Sequence, residues 1–388
     1  MIPYCNLQAS HDSFLEDYFK DLKQLFADCD FIGAGSKKVA AFEAEFAEYM
    51  GCKHALGVAS GTDALLLPLH ALGIGPGDEV IMSTFGFIAT ADVVVRLGGK
   101  PVFVDIDPIT FNLVPSLVEA AITPATKAII PVHLFGQTCD MDAIMAIARE
   151  RNLFVVEDVA QACGSAACDG RKLGSIGDFG AFSFYPTKNL GAAGDAGMIT
   201  TNNDSHAAII RAYRDHGRTA DGTFERIGYN SRLDTIQALY MQYKLRDLDE
   251  ALLDRVENAR LYARLLAQVD SRVVPPAVPD DMTNTFNYYT IRVKCASEPG
   301  QANLRDSMQA FLKERGVQTA IYYRQCMHVT PALSFVGCPA GSFPVAEKAA
   351  DEVLSLPNWP GMSKHQIEKV AAAVVEFLEN NPSLGVHH

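Results

Sequence analysis

Between Glu79 and Thr200 six short apolar runs alternate with helix-like segments, and few folds accept that pattern. The runs are Glu79–Met82, Pro101–Val104, Ala128–Val132, Leu153–Val156, Ala181–Phe184 and Met198–Thr200. Most are continuously apolar rather than alternating, as strands covered on both faces must be. Helical periodicity fills Ala89–Leu97 and Met141–Arg151 between them. The pattern predicts an α/β unit with right-handed crossovers and a mainly parallel sheet. Ligand sites in such sheets lie beyond the carboxyl ends of the strands, so the residues after each run matter most.

The rest of the chain is organised differently. From Tyr229 to Val274 there is neither Gly nor Pro, and leucines recur at helical spacing, which predicts one long helix or two in tandem. Pro275, Pro276 and Pro279 interrupt it. A strand at Tyr288–Val293 and helices at Leu304–Arg315, Ala346–Leu354 and Lys364–Glu379 then suggest a smaller α+β unit. With 388 residues, two domains are expected: a large α/β domain over 1–250 and a small C-terminal α+β domain over 251–388.

Composition removes several functions. The formal charge of −13 gives no general attraction for nucleic acid or anionic lipid, so neither is an expected partner. Any anionic ligand needs a local device. The nine cysteines are scattered without a CxxC pair, which argues against a structural metal or a disulfide framework. No basic-then-apolar leader follows Met1, and no apolar run approaches the roughly 20 residues that cross a bilayer. A soluble cytoplasmic protein without metal is the expectation.

Three strand ends carry chemistry. After Ser183-Phe184, Tyr185-Pro186-Thr187-Lys188-Asn189-Leu190-Gly191 turns the chain and offers one lysine ahead of a glycine-rich loop. Lys188 is either a solvated turn lysine or a Schiff-base lysine, its pKa lowered by partial desolvation. Leu153–Val156 runs into Glu157-Asp158-Val159-Ala160-Gln161. Asp158 is either a helix N-cap or the carboxylate that keeps a pyridine nitrogen protonated, making pyridoxal phosphate an electron sink. Ala59-Ser60-Gly61-Thr62-Asp63 enters an apolar helix, where the amides of Gly61 and Thr62 either simply begin a capped helix or cradle phosphate. Phe87, just past the first strand, is core or a ring-stacking partner.

Taken in order, seven blocks resemble one family. They are Ser60–Leu65, Gly77–Val80, Phe87–Thr90, Pro131–Gly136, Glu157–Gln161, Ser183–Phe184 through Lys188–Gly191, and Gly228–Arg232. Together, from about Phe31 to Val370, they are similar to the DegT/DnrJ/EryC1/StrS family of pyridoxal-phosphate-dependent nucleotide-sugar aminotransferases. The resemblance implies the aspartate aminotransferase fold, with a central, mainly parallel seven-stranded sheet and a smaller α+β domain. It implies that Lys188 forms the Schiff base and shuttles a proton, that Asp158 partners the pyridine nitrogen, and that Gln161 lies near the ring's phenolic oxygen. Gly61, Thr62 and Ser183 match phosphate contacts, and Phe87 the stacking position. Asn230 matches a phosphate ligand from the neighbouring subunit, implying a homodimer with shared active sites. Arg232 and His328 match substrate-binding positions.

Departures accompany the match. Cys326-Met327 precede His328 where Pro-Leu is common, Gly86 replaces Thr or Ser, and Cys163 stands where His is frequent. Ala196 in place of a common Gly resembles members acting at C3 of a 3-keto-6-deoxy sugar. Relatives that dehydrate a sugar carry His at the lysine position, so Lys188 favours transamination. The implied reaction moves an amino group from L-glutamate to a nucleotide-linked keto-deoxysugar, at C3 rather than C4. Pyridoxamine 5′-phosphate is the intermediate cofactor form, and the product serves a surface polysaccharide or secondary metabolite. The alternative is a non-catalytic relative that binds the cofactor or a nucleotide sugar as sensor or scaffold.

Other motifs fall away. No GxSxG surrounds Ser60 or Ser183, and Gly33-Ala34-Gly35 lacks the third glycine of a dinucleotide fingerprint. His11, His54 and His133 read as structural or surface residues, and Asp105 and Asp107 as parts of a turn.

Overall fold

The six apolar runs become six strands of one sheet, and a seventh strand that the sequence pattern did not single out joins them. The computed structural model describes residues 1–10, 12–32, 35–267, 269–277, 283–294 and 303–381. His11, Gly33-Ala34 and Pro279 lie outside the described residues. Helices α1 (Leu15–Asp28) and α2 (Lys37–Met50) precede β1 (His54–Val58), and α3 (Gly61–Ala71) leads to β2 (Glu79–Ser83). Alternation continues through α4 (Ala89–Arg96), β3 (Lys100–Val104), α5 (Pro115–Ala121), β4 (Thr126–Ile130), α6 (Met141–Arg151) and β5 (Phe154–Asp158). β6 (Phe179–Ser183) and β7 (Gly197–Thr201) complete the sheet before α7 (Asp204–Tyr213), α8 (Thr235–Arg246) and α9 (Leu248–Leu266). The remaining elements are β8 (Val273–Val274), β9 (Tyr289–Val293), α10 (Leu304–Glu314), α11 (Pro344–Glu352), β10 (Val353–Leu356) and α12 (Lys364–Asn380).

Strand order in the large sheet is β1-β7-β6-β5-β4-β2-β3. β7 pairs antiparallel with both neighbours, and all other pairs are parallel. Alternate residues feed two cores. Val80, Met82, Ile130, Val156 and Ile199 pack on one side. Ile81, Ile129, Val155 and Met198 pack on the other. Period-two alternation within fully apolar strands is how a sheet buries both faces under helices.

The long Gly- and Pro-free stretch is two helices, α8 and α9, meeting at Asp247, so of the two readings the tandem one holds. α9, α12 and the three-stranded antiparallel sheet β10-β9-β8 build a separate core around Tyr262, Tyr289, Leu354 and Val374. Here one expectation needs correction. The helix placed over Ala346–Leu354 ends at Glu352, and Val353–Leu356 is a strand paired with β9. Among the described residues no helix is long and apolar enough to cross a membrane, and no cluster of His, Cys, Asp and Glu suits a metal ion.

Candidate active site

Adjacent strands β5 and β6 run parallel, with Asp158 opposite Ala181, so their carboxyl ends open side by side. Asp158 ends β5. Five residues past the end of β6, a turn closed by the Lys188 amide donating to the Tyr185 carbonyl at 2.8 Å presents Lys188. The tightness of that loop depends on Gly191, where a Cβ would lie 2.3 Å from the Pro186 carbonyl oxygen.

The two side chains form an electrostatic pair. Burial brings the Lys188 amine down to about 8, against an opposing pull from Asp158. Burial likewise raises the Asp158 carboxyl, while the Ala160 amide, the Thr90 hydroxyl and Lys188 all act to lower it. Thr90, in the first turn of α4, donates to Oδ2 at 3.0 Å, and the Ala160 amide donates to Oδ1 at 3.1 Å. The carboxylate is thereby held in one orientation. The Lys188 amine also stands 5.6 Å from the ring centre of Tyr288.

Beneath Asp158 lies a network that sequence reading did not identify as a unit. Glu157 is fully buried and accepts from the amides of Gly174, Ile176 and Gly177 at 2.9, 2.9 and 2.7 Å. His133 Nε2 is 3.2 Å from the same carboxylate. The Cys139 amide donates to His133 Nδ1 at 3.1 Å, and because a backbone N–H can only donate, Nδ1 carries no proton. His133 is therefore the neutral tautomer that donates to Glu157. Its backbone amide bonds the Asp158 carbonyl at 3.1 Å, which locks the strand end in place. The structural role expected for His133 fits this geometry.

At the start of α3, Ser60 accepts from the Asp63 amide at 3.1 Å. The amides of Gly61 and Thr62 precede the intrahelical ladder and remain available to an anion, helped by the helix dipole. Ser183 closes this terminus: a Cβ on Gly61 would lie 2.5 Å from the Ser183 Cβ. Gly61, Thr62 and Ser183 thus meet at one place. Phe87 is 57% exposed, an open ring face beside the strand ends rather than a core residue. Gln161 is buried, bonded to the Phe135 amide and to Tyr323.

The other three candidates are placed differently. Asn230 is exposed, and its side chain makes no hydrogen bond among the described residues. Its neighbour Ser231 is buried and donates to Asp63 at 2.7 Å, which fastens the loop to α3. Arg232 pairs with Asp215. His328 is buried, with Nδ1 2.7 Å from the Thr84 hydroxyl and Nε2 3.2 Å from Glu347, so both ring nitrogens are engaged within the protein. A substrate contact through His328 requires exchange of one of these bonds.

An amine of lowered basicity, an oriented carboxylate, an open aromatic face and an anion-binding helix terminus together fit a flat, protonatable ring with a phosphate at one end. Thr90, Tyr288 and Tyr323 belong to the same neighbourhood. Of these, Thr90 lay in one of the seven blocks and Tyr323 in the segment leading to His328, but neither was assigned a role from the sequence.

A mainly parallel seven-stranded sheet with such a centre is the arrangement found in aminotransferases. Residues 16–375 match the DegT/DnrJ/EryC1/StrS aminotransferase family, and the chain belongs to that family. It is 44% identical to the pleiotropic regulatory protein of Geobacillus stearothermophilus, covering 98% of this chain and 99% of that one. It is 41% identical to the UDP-N-acetyl-3-dehydro-alpha-D-glucosamine 3-aminotransferase of Acidithiobacillus ferrooxidans, over 97% of this chain and 98% of the relative. Among solved structures, that of S. venezuelae DesV in complex with a ketimine intermediate superimposes with a TM-score of 0.91 at 37% identity, covering 97% of this chain and 98% of that one.

Proposed function

We propose that this aminotransferase carries pyridoxal 5′-phosphate on Lys188 and moves an amino group from L-glutamate to C3 of a nucleotide-linked keto-deoxysugar. The observation that carries the proposal is the Lys188–Asp158 pair at neighbouring strand ends, with the amine near 8 through burial. Support for C3 over C4 comes from Ala196 and from the relative named as a 3-aminotransferase.

When bound, pyridoxal phosphate supplies a conjugated ring that accepts the electrons left at the substrate carbon when its proton departs. The protein's part is positional and electrostatic. Gly61, Thr62 and Ser183 hold the phosphate, with Asn230 of a second copy as a further ligand in a homodimer. Phe87 covers one ring face, and Gln161 lies at its edge. Asp158, oriented by Thr90 and the Ala160 amide, keeps the ring nitrogen protonated. Lys188, neutral in a useful fraction near its pKa, gives the attacking amine and then moves the proton at the amine-bearing carbon. Arg232 and His328 are assigned to the sugar nucleotide, each on exchange of a bond it makes within the protein, to Asp215 for Arg232 and to Thr84 or Glu347 for His328. The division of the chain near residue 250 falls where α8 gives way to α9.

A second reading, a non-catalytic sensor or scaffold, draws on the regulatory name borne by one relative. The two separate in one experiment. The purified protein is expected to be yellow and to bleach on addition of glutamate. Lys188→Ala should abolish glutamate-driven turnover, and undiminished turnover in that variant would refute the assignment. A protein whose absorbance, yellow or colourless, is indifferent to glutamate supports the scaffold.

A further inference from the structure

The Gln161 amide has one orientation available. The Phe135 backbone N–H donates to Oε1 at 2.8 Å, which fixes that end as the acceptor. Nε2 is therefore the atom that meets the Tyr323 hydroxyl, and it donates to the phenol oxygen at 3.0 Å. Tyr323 accepts in this bond, and its own proton is unspent: among the described residues the hydroxyl makes no second hydrogen bond. The ring sits 6.1 Å from Phe85 and 6.4 Å from the exposed Phe87, and its phenol lies within the field of Asp158. Tyr323 is half-buried, so its free donor is open to a group that enters the site. A donor in that position can be taken up by an acceptor on a bound ligand.

We propose that Tyr323 donates a hydrogen bond to an acceptor oxygen of the ligand held between Phe87 and Asp158. The inference rests on the cofactor assignment above. Two oxygens share the required chemistry: the ring oxygen of pyridoxal phosphate, and a carbonyl or hydroxyl oxygen of the keto sugar. The relay from Phe135 through Gln161 to Tyr323 would then tie the 322–329 segment to the ligand. That segment also docks on the end of β2, through the Met327 amide on the Thr84 carbonyl at 2.8 Å.

Tyr323→Phe keeps the ring packing and removes only the hydroxyl. Apoprotein titrated with pyridoxal phosphate gives the cofactor affinity, and absorbance followed against pH gives the state of the bound ring. If the ring oxygen is the acceptor, cofactor affinity falls on the order of tenfold and the absorbance titration shifts without any sugar present. If a sugar oxygen is the acceptor, both stay as in the wild type, and KM for the sugar rises by a similar factor while the glutamate half-reaction is unchanged. Either result supports the proposal. Should Tyr323→Phe fold poorly, 3-fluorotyrosine incorporated at position 323 serves instead: it keeps the ring packing and makes the phenol more acidic, so the same absorbance titration or the sugar KM is expected to shift. Unchanged cofactor affinity, absorbance and sugar KM in a folded variant overturn the proposal alone. A wild-type protein that takes up no pyridoxal phosphate overturns the cofactor assignment and this inference with it.

Discussion

A lysine amine at about 8 is a compromise between two opposed forces at one residue. Removal from water favours the neutral form, and the Asp158 carboxylate favours the charged one; burial wins. The folded protein therefore holds fewer protons than the unfolded chain between about 8 and the ordinary lysine range. Stability rises with pH across that window, and below it the buried charge is a standing cost. The same shift makes the amine a nucleophile near neutrality. The rate at which the apoprotein takes up pyridoxal phosphate should rise with pH to a midpoint near 8, followed by stopped-flow absorbance. A midpoint in the ordinary lysine range would mean that the amine is solvated. Asp158 shows how much of this was legible. Its place after an apolar strand was visible, but the Thr90 hydroxyl that orients it comes from 68 residues away in the chain and leaves no local trace.

At the scale of elements, the helix terminus proposed to hold phosphate depends on how closely α3 approaches the end of β6. Gly61→Ala places a methyl 2.5 Å from the Ser183 Cβ and 3.0 Å from its Cα. Because backbone cannot swing aside as a side chain does, the helix must shift. A loss of about 1–3 kcal/mol in stability is expected from the overpacking, together with weakened pyridoxal phosphate binding. Thermal melts and apoprotein titration measure the two. Wild-type behaviour in both would show that the helix terminus has slack. Elements were legible where apolar residues recur at helical spacing: Met141–Arg151 matches α6 end to end. β1, His-Ala-Leu-Gly-Val, carries few β-formers and owes its state to pairing with β7. β10 was absorbed into the preceding helix because Leu354 extends the apolar periodicity, while its real partner, β9, lies some sixty residues upstream. Local pattern identifies elements; long-range pairing assigns the ambiguous ones.

For the whole molecule the open question is which chain completes which site. Asn230 lies exposed on a loop whose preceding stretch presents Phe224 at 69% and Ile227 at 88% exposure. Apolar side chains so open beside a polar one suit a surface that another copy covers. The adjoining Ser231 is bonded to Asp63, so the loop is anchored to its own α3 while Asn230 stays exposed. If Asn230 serves the partner's phosphate, each site takes Lys188 from one chain and Asn230 from the other. Lys188→Ala and Asn230→Ala should then each be impaired alone and complement when mixed. In the hybrid dimer one site collects both defects, and the other collects intact Lys188 and intact Asn230. Random reassortment makes half the dimers hybrid, so about a quarter of all sites regain wild-type function. Mixing the variants under conditions that exchange subunits, then measuring glutamate-driven turnover, tests this directly. Were Asn230 to act within its own chain, no site in the hybrid would be intact, and mixing would restore nothing.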